Sequence, residues 1–145
     1  NLRTLEMRRF DTIIVHCTAT IAGKDFHVSD VDGWHRDRGF HGCGYHYIVT
    51  LDGTIERGRP IDELGAHCKG HNTTSVGVAY VGGLDKNGKP ADTRTKAQKQ
   101  ALTQLIWQLS LRAMLNGWGL VKVRGHRDYD NGKECPCFDA RAEYD

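Results

Sequence analysis

The chain opens its ordered pattern with Thr12-Ile13-Ile14-Val15, an unbroken β-branched run. Such a run predicts a central strand buried on both faces, ending at His16 where strand meets loop. A short helix is predicted next, with Ser29 as N-cap, Asp32 reaching back as in a capping box, and Gly39 as its end. Its inner stripe is Val31, Trp34 and His35, with Trp34 in the core and His35 hydrogen-bonded to that core. Gly42 to Leu51 reads as a glycine-rich approach into a strand, Asp52-Gly53 as a two-residue hairpin turn, and Thr54 to Arg57 as the antiparallel return. Strand alternation puts Tyr45 and Tyr47 on one face and His46 on the other. Gly65 to Asn72 is polar and glycine-bounded, hence a loop. Ser75 to Val81 is a further strand whose Gly77 and Ala79 predict tight central packing.

After a turn-rich link from Leu84 to Asp92, Thr95 caps a long helix and Gln98 completes the box. Leu102, Leu105, Ile106, Leu109 and Ala113 form its buried stripe, and Asn116-Gly117 closes it. Trp107 and Leu111 lie off that stripe, so a second face is expected to be covered. Leu120 to Val123 reads as the last strand and Phe138 to Tyr144 as a closing helix. Residues 1–9 show no period and carry three arginines, the pattern of a flexible leader; Met7 is a candidate native start. The expected architecture is therefore α/β: a single domain over residues 10–145, with a mixed β-sheet flanked by helices.

Composition narrows the function. A length of 145 residues suits one domain with a real core. The net charge of +2 and pI near 8.3 lack the dense basic face of a nucleic-acid binder. No apolar run reaches membrane-spanning length, and no secretory signal opens the chain. A monomer is expected. Five cysteines, an odd number, do not suggest a disulfide framework and fit a protein made in a reducing compartment. Eight histidines cluster with cysteine and glycine, which favours metal or proton chemistry.

The densest chemistry lies in Arg124-Gly125-His126-Arg127-Asp128 running on to Lys133-Glu134-Cys135-Pro136-Cys137. A loop with so little apolar filler is usually kept for what it binds, because packing does not offset its ordering entropy. Two strands ending at His16 and His126, with Cys135 on the loop after the second, offer a His-His-Cys set. Zinc accepts that mixture and keeps a fourth position for water or substrate. Spacing alone does not bring the three together. Cys68 and His71 have the spacing of half a structural zinc site, a weak signal without a second half.

Several blocks together resemble the zinc-dependent N-acetylmuramoyl-L-alanine amidases, the group that includes phage lysozyme-type amidases and peptidoglycan recognition proteins. They are Val15-His16-Cys17-Thr18-Ala19, Gly44 to Val49, Asp52 to Pro60, Gly65-Ala66-His67 with Gly70 to Val78, and Gly125-His126-Arg127-Asp128 with Lys133-Glu134-Cys135-Pro136. The resemblance implies zinc held by His16, His126 and Cys135, with Tyr45 and Lys133 beside the attacked carbonyl. It places His67 and Asn72 in the substrate groove and His46 behind it. Arg59 is a candidate for a peptide carboxylate. The implied partner is peptidoglycan, met in the cell wall after synthesis in the bacterial cytoplasm and delivery by a route other than a signal peptide. The alternative is a non-catalytic peptidoglycan-binding module of the same fold; those members lack the cysteine ligand, which is present here. A purely structural zinc site would leave Tyr45 and Lys133 without a role. Cys17, Cys43, Cys68 and Cys137 are then spare thiols, with Cys137 placed to pair with Cys135 on oxidation.

Overall fold

The β-branched run Thr12–Val15 does become the middle of the molecule, in a computed structural model that describes residues 8–145. In chain order the elements are β1 (Thr12–Cys17), β2 (Thr20–Ile21), α1 (Val28–Asp37), β3 (Tyr47–Val49), β4 (Ile55–Arg57), β5 (Ser75–Tyr80), β6 (Gly83–Leu84), α2 (Lys96–Leu115), β7 (Lys122–Gly125) and α3 (Ala140–Tyr144). A single 3-10 turn, His126–Asp128, follows β7. Five strands form one mixed sheet in the order β4-β3-β5-β1-β7. β1 runs parallel to both β5 and β7, β3 runs parallel to β5, and β4 is antiparallel to β3. With neighbours on both edges and helices on both faces, β1 has room only for apolar side chains and fully bonded polar ones.

Helix α2 covers one face, where Leu102, Leu105, Ile106 and Leu109 meet Ile13, Val15, Val76, Val78 and Tyr80. Each fully buried Leu or Ile there contributes about 1.5–3 kcal/mol. Helix α1 covers the other face, its Val31 meeting Ile48, Ala79 and Val81. The capping box of α2 forms as the sequence predicts: Thr95 Oγ1 accepts from the Gln98 N–H at 3.0 Å and Gln98 Oε1 accepts from the Thr95 N–H at 2.9 Å. Gln98 is fully buried, and its amide also donates to the carbonyls of Val49 (3.2 Å) and Val81 (2.9 Å). It thereby gives the Val81 carbonyl, just past the end of β5, a donor, and adds a second one to Val49 O, which already accepts the Val81 N–H.

Several local expectations give way. Helix α1 starts earlier, with His27 rather than Ser29 as N-cap, because the Asp30 carboxylate accepts the His27 N–H and Glu56 of β4 accepts the Val28 N–H. Asp32 instead holds Arg36 and the Cys43 N–H. Trp34 is not core: it is 38% exposed and meets Phe26 edge-on. Strand β3 begins only at Tyr47, so Tyr45 escapes the alternation and packs toward Val31 and Cys43 while Tyr47 packs on the α2 side. The hairpin loop has three residues, Leu51-Asp52-Gly53, closed by Thr50 N–H to Thr54 O, with Gly53 at φ +87. Trp107 stands 64% exposed, so no second face of α2 is covered there. Strand β7 starts two residues later than Leu120, which is exposed, and the closing helix spans Ala140–Tyr144. Of the expected leader, residues 1–7 lie outside the described residues, Met7 included. Arg8 is anchored, donating to the carbonyls of Ile61 and Thr73. No helix among the described residues is long and apolar enough to cross a membrane.

Candidate metal centre and groove

Parallel pairing sets the site. Register places Val15 of β1 opposite Gly125 of β7, so the residues that follow, His16 and His126, emerge side by side at the carboxyl ends of the strands. Their ring centroids are 4.7 Å apart. Cys135 reaches the same point from the loop beyond β7, and one nitrogen from each histidine and the Cys135 Sγ lie within 4.8 Å of one another. Among the described residues this is the one cluster of three or more His, Cys, Asp or Glu able to hold a metal. The loop is fixed from several sides. Cys17 N–H donates to Cys135 Sγ at 3.2 Å, Arg127 N–H to Cys135 O at 2.8 Å, and Tyr80 Oη–H to Pro136 O at 2.7 Å. Pro136 lies on Gly125, where a Cβ would stand 2.7 Å from the proline Cδ. A side chain at residue 125 would push the thiol away from the histidines.

The donor set fits zinc. Burial, then the neighbouring His67, His126 and His35, hold the His16 imidazole well below its ordinary pKa, in the neutral form a metal needs. Burial and then Lys133 lower His126 in the same sense. His16 Nε2 is 2.8 Å from His67 Nδ1, so its other nitrogen is the one free for an ion. The Cys17 N–H on Cys135 Sγ fixes where that sulfur points. A groove of about 870 Å³ opens over this cluster, lined by Tyr45, Trp34, Arg38, His67, Asn72 and Lys133 among others. The ring of Tyr45 is 5.0 Å from that of His16, and burial followed by the Cys135 and Cys17 thiols pushes its phenol far above the ordinary range. It is an O–H donor at any physiological pH.

The model of the family described as N-acetylmuramoyl-L-alanine amidase matches residues 6–138, nearly the whole chain. The chain belongs to that amidase family. The endolysin of Klebsiella phage KP32 is 43% identical over 129 residues, covering 89% of this chain and 82% of the relative. The structure is similar to that of the N-acetylmuramoyl-L-alanine amidase LysC from Clostridium intestinale, with a TM-score of 0.71, 27% identity and coverage of 94% and 82%. Drosophila PGRP-LB shares the fold with a TM-score of 0.73, 25% identity and coverage of 94% and 80%. The chain is thus an amidase of the endolysin kind, on the α/β fold that its sequence pattern predicts.

The amidase frame brings most of the predicted residues together. Tyr45, His67, Asn72 and Lys133 all line the groove together with His126 and Cys135, while His16 is buried beside those two ligands. Arg59 does not: it is 8% exposed, and its guanidinium donates to the carbonyls of Cys43 (3.1 Å) and Leu64 (3.0 Å), beneath the groove. Backbone carbonyls engage its Nε and Nη1, and Nη2 is buried without a hydrogen-bond partner among the described residues. Asn72 Oδ1 accepts from the N–H groups of His67 and Cys68, both at 3.1 Å, which shapes the loop. His46 accepts from the Gly77 N–H and faces Glu63 O, behind the groove. His71 stacks on Tyr129, away from any metal cluster. The Cys137 sulfur lies 4.0 Å from that of Cys17 and donates to Gly83 O. Sequence reasoning passed over Ser75 and treated Gly77 as packing only; the signal was their place in a strand beside a histidine-bearing loop.

Proposed function

We propose that this chain hydrolyses the amide between the N-acetylmuramoyl lactyl group and L-alanine of peptidoglycan, with a zinc ion held by His16, His126 and Cys135. The observation that carries the reading is the convergence of two imidazoles and one thiol at the floor of an open groove. Zinc bound there supplies a Lewis acid for the carbonyl and a water with its pKa brought down to about 7. The protein's own groups do the rest. Lys133 puts an ammonium on the groove wall two residues before Cys135, where negative charge grows on the carbonyl oxygen in the tetrahedral state. Tyr45, held as a phenol, donates a hydrogen bond toward the water or that oxygen. The groove, flanked by Trp34 of α1 and by Arg38 just past its end, offers an apolar wall and a cation to a glycopeptide. The binding-module alternative expects a missing thiolate, and Cys135 in the cluster argues against it.

Digestion of purified cell wall followed by mass spectrometry tests the reading. New amino-terminal L-alanine is expected, abolished by a strong chelator and restored by zinc. Cys135→Ser is expected to lose zinc and turnover together. Cleavage that survives exhaustive chelation, or that appears at another bond, refutes the proposal.

A further inference from the structure

His67 reaches the floor of the groove, yet the residue is only 8% exposed and both its ring nitrogens are engaged with the protein. The directions of those bonds can be worked out in sequence. Ser75 Oγ is 2.6 Å from the carbonyl of His71, which only accepts, so the serine proton points there. Toward His67 Nε2, 3.3 Å away, Ser75 then has only a lone pair to offer, and His67 Nε2 must carry the proton. The neutral ring has its remaining lone pair on Nδ1, 2.8 Å from His16 Nε2. That contact requires the proton to sit on His16 Nε2, which leaves the lone pair of His16 on Nδ1. The ring of His67 has no freedom to turn away. A Cβ on Gly77 would stand 2.5 Å from its Cγ, and one on Gly65 2.5 Å from its Cδ2, so two glycines clamp it.

We propose that His67 is a positioning residue: the chain His71 C=O, Ser75 Oγ–H, His67 and His16 Nε2–H fixes one tautomer of His16 and so selects Nδ1 as its metal-binding atom. This rests on the zinc reading above and replaces a groove contact as the main role of His67. Partners that orient a metal-bound histidine typically change metal affinity about 10–100-fold when removed. The relay explains why a buried serine and two glycines surround a histidine that does not itself join the ligand cluster.

Ring-nitrogen chemical shifts of the zinc-free protein read the tautomers directly, and a proton on Nε2 of both His16 and His67 is expected. Competition with a chromophoric chelator then gives zinc affinity. His67→Leu is expected to bind zinc about 10–100-fold more weakly. His67→Asn, whose side-chain oxygen can replace Nδ1 as acceptor, is expected to recover most of that loss. Ser75→Ala, which frees the His67 proton to switch nitrogens, is expected to fall between. The cobalt-substituted protein adds a spectrum: His67→Leu should alter its visible absorption and His67→Asn should not. A His16 proton on Nδ1, or zinc affinity in a folded His67→Leu within twofold of the parent, overturns the relay. If His67→Leu fails to fold, the parent's tautomers and Ser75→Ala decide the matter. A parent that binds no zinc ends the metal reading, and the tautomers alone then judge the relay.

Discussion

Gly77→Ala isolates the link between sheet packing and the site. Gly77 sits in β5 opposite Ile14 of β1, with its N–H on His46 Nδ1 at 3.0 Å. Its backbone conformation suits any residue, so the cost of a methyl is purely spatial. The new Cβ would lie 2.5 Å from His67 Cγ and 2.8 Å from Nδ1, whereas ordinary contact begins near 3.4 Å. The strand is held on both edges, so the ring must retreat by about 0.9 Å (3.4 − 2.5). A retreat directed along the line from His16 Nε2 to His67 Nδ1, now 2.8 Å long, opens the pair to as much as roughly 3.7 Å, beyond hydrogen-bond range. Overpacking costs about 1–3 kcal/mol and the lost bond about 1 more. For a domain of this size that total lowers the melting temperature by roughly 5–15 °C. Zinc affinity should drop about tenfold or more in parallel. Thermal melts of the zinc-free protein and chelator competition measure both. Gly33→Ala is the control: it is inside α1 with open space around it, and should be neutral or stabilising by up to about 1 kcal/mol. Parent-like melting and zinc affinity in Gly77→Ala would refute the clamp.

On the proposed mechanism Lys133→Ala should retain zinc and lose about 10²–10³ in kcat, the cost of removing an oxyanion-stabilising group; turnover within threefold of the parent would reject that role. Gln98→Leu leaves the Val81 carbonyl and the Thr95 N–H without the Gln98 side chain and takes one of two donors from Val49 O, and should destabilise by about 1–3 kcal/mol in denaturant titration. Burial lowers His46 to about 4 and His67 to about 3, so the folded protein resists protonation that the unfolded chain accepts below roughly 6.5. Zinc-free stability should therefore be constant above about pH 6.5 and fall as pH drops from there toward 4, and melts from pH 7.5 to 5 check the sign.

What the sequence made legible follows physical locality. The α2 box was readable because Thr95 and Gln98 are one helical turn apart, and the stripe from Leu102 to Ala113 because its period is repeated. The N-terminus of α1 was not, because its cap comes from Glu56 on a strand 28 residues away. Tyr45 was expected to follow strand alternation, but the pairing that enforces alternation starts at Tyr47. The ligand residues could be nominated from their chemistry and their blocks, whereas their meeting depends on β1 and β7 being adjacent and parallel. That adjacency is a property of the whole sheet. Arg59 shows the converse: a cation beside a promising motif was spent on two backbone carbonyls, which no local pattern announces.

The loop that carries Cys135 raises the question of whether metal builds the site or finds it built. In small zinc domains binding energy is folding energy, and the apoprotein is unfolded. Here the chain around Cys135 is anchored by contacts that need no ion. Directly after the cysteine, Pro136 rests on Gly125 and its carbonyl accepts a hydrogen bond from the Tyr80 hydroxyl. Two residues further on, Phe138 is buried under Arg94, whose guanidinium carbon lies 3.3 Å from the ring centroid and whose nitrogens bind Asp92 and Glu143. Asp139 then caps α3 through the Ala142 N–H. Cys135 itself is held by the Arg127 N–H on its carbonyl and the Cys17 N–H on its sulfur, so its thiol is placed before any metal arrives. Chelation should accordingly leave the far-ultraviolet spectrum unchanged and lower the melting temperature only by the linkage term, RT ln(1 + [Zn]/Kd), which is about 4 kcal/mol at a thousandfold excess over Kd. Arg94→Leu should loosen the loop's far anchor and weaken zinc binding even though Arg94 touches no ligand. A zinc-free protein that loses its secondary structure would show that the ion organises the loop, and the anchors would then be a consequence of binding rather than its preparation.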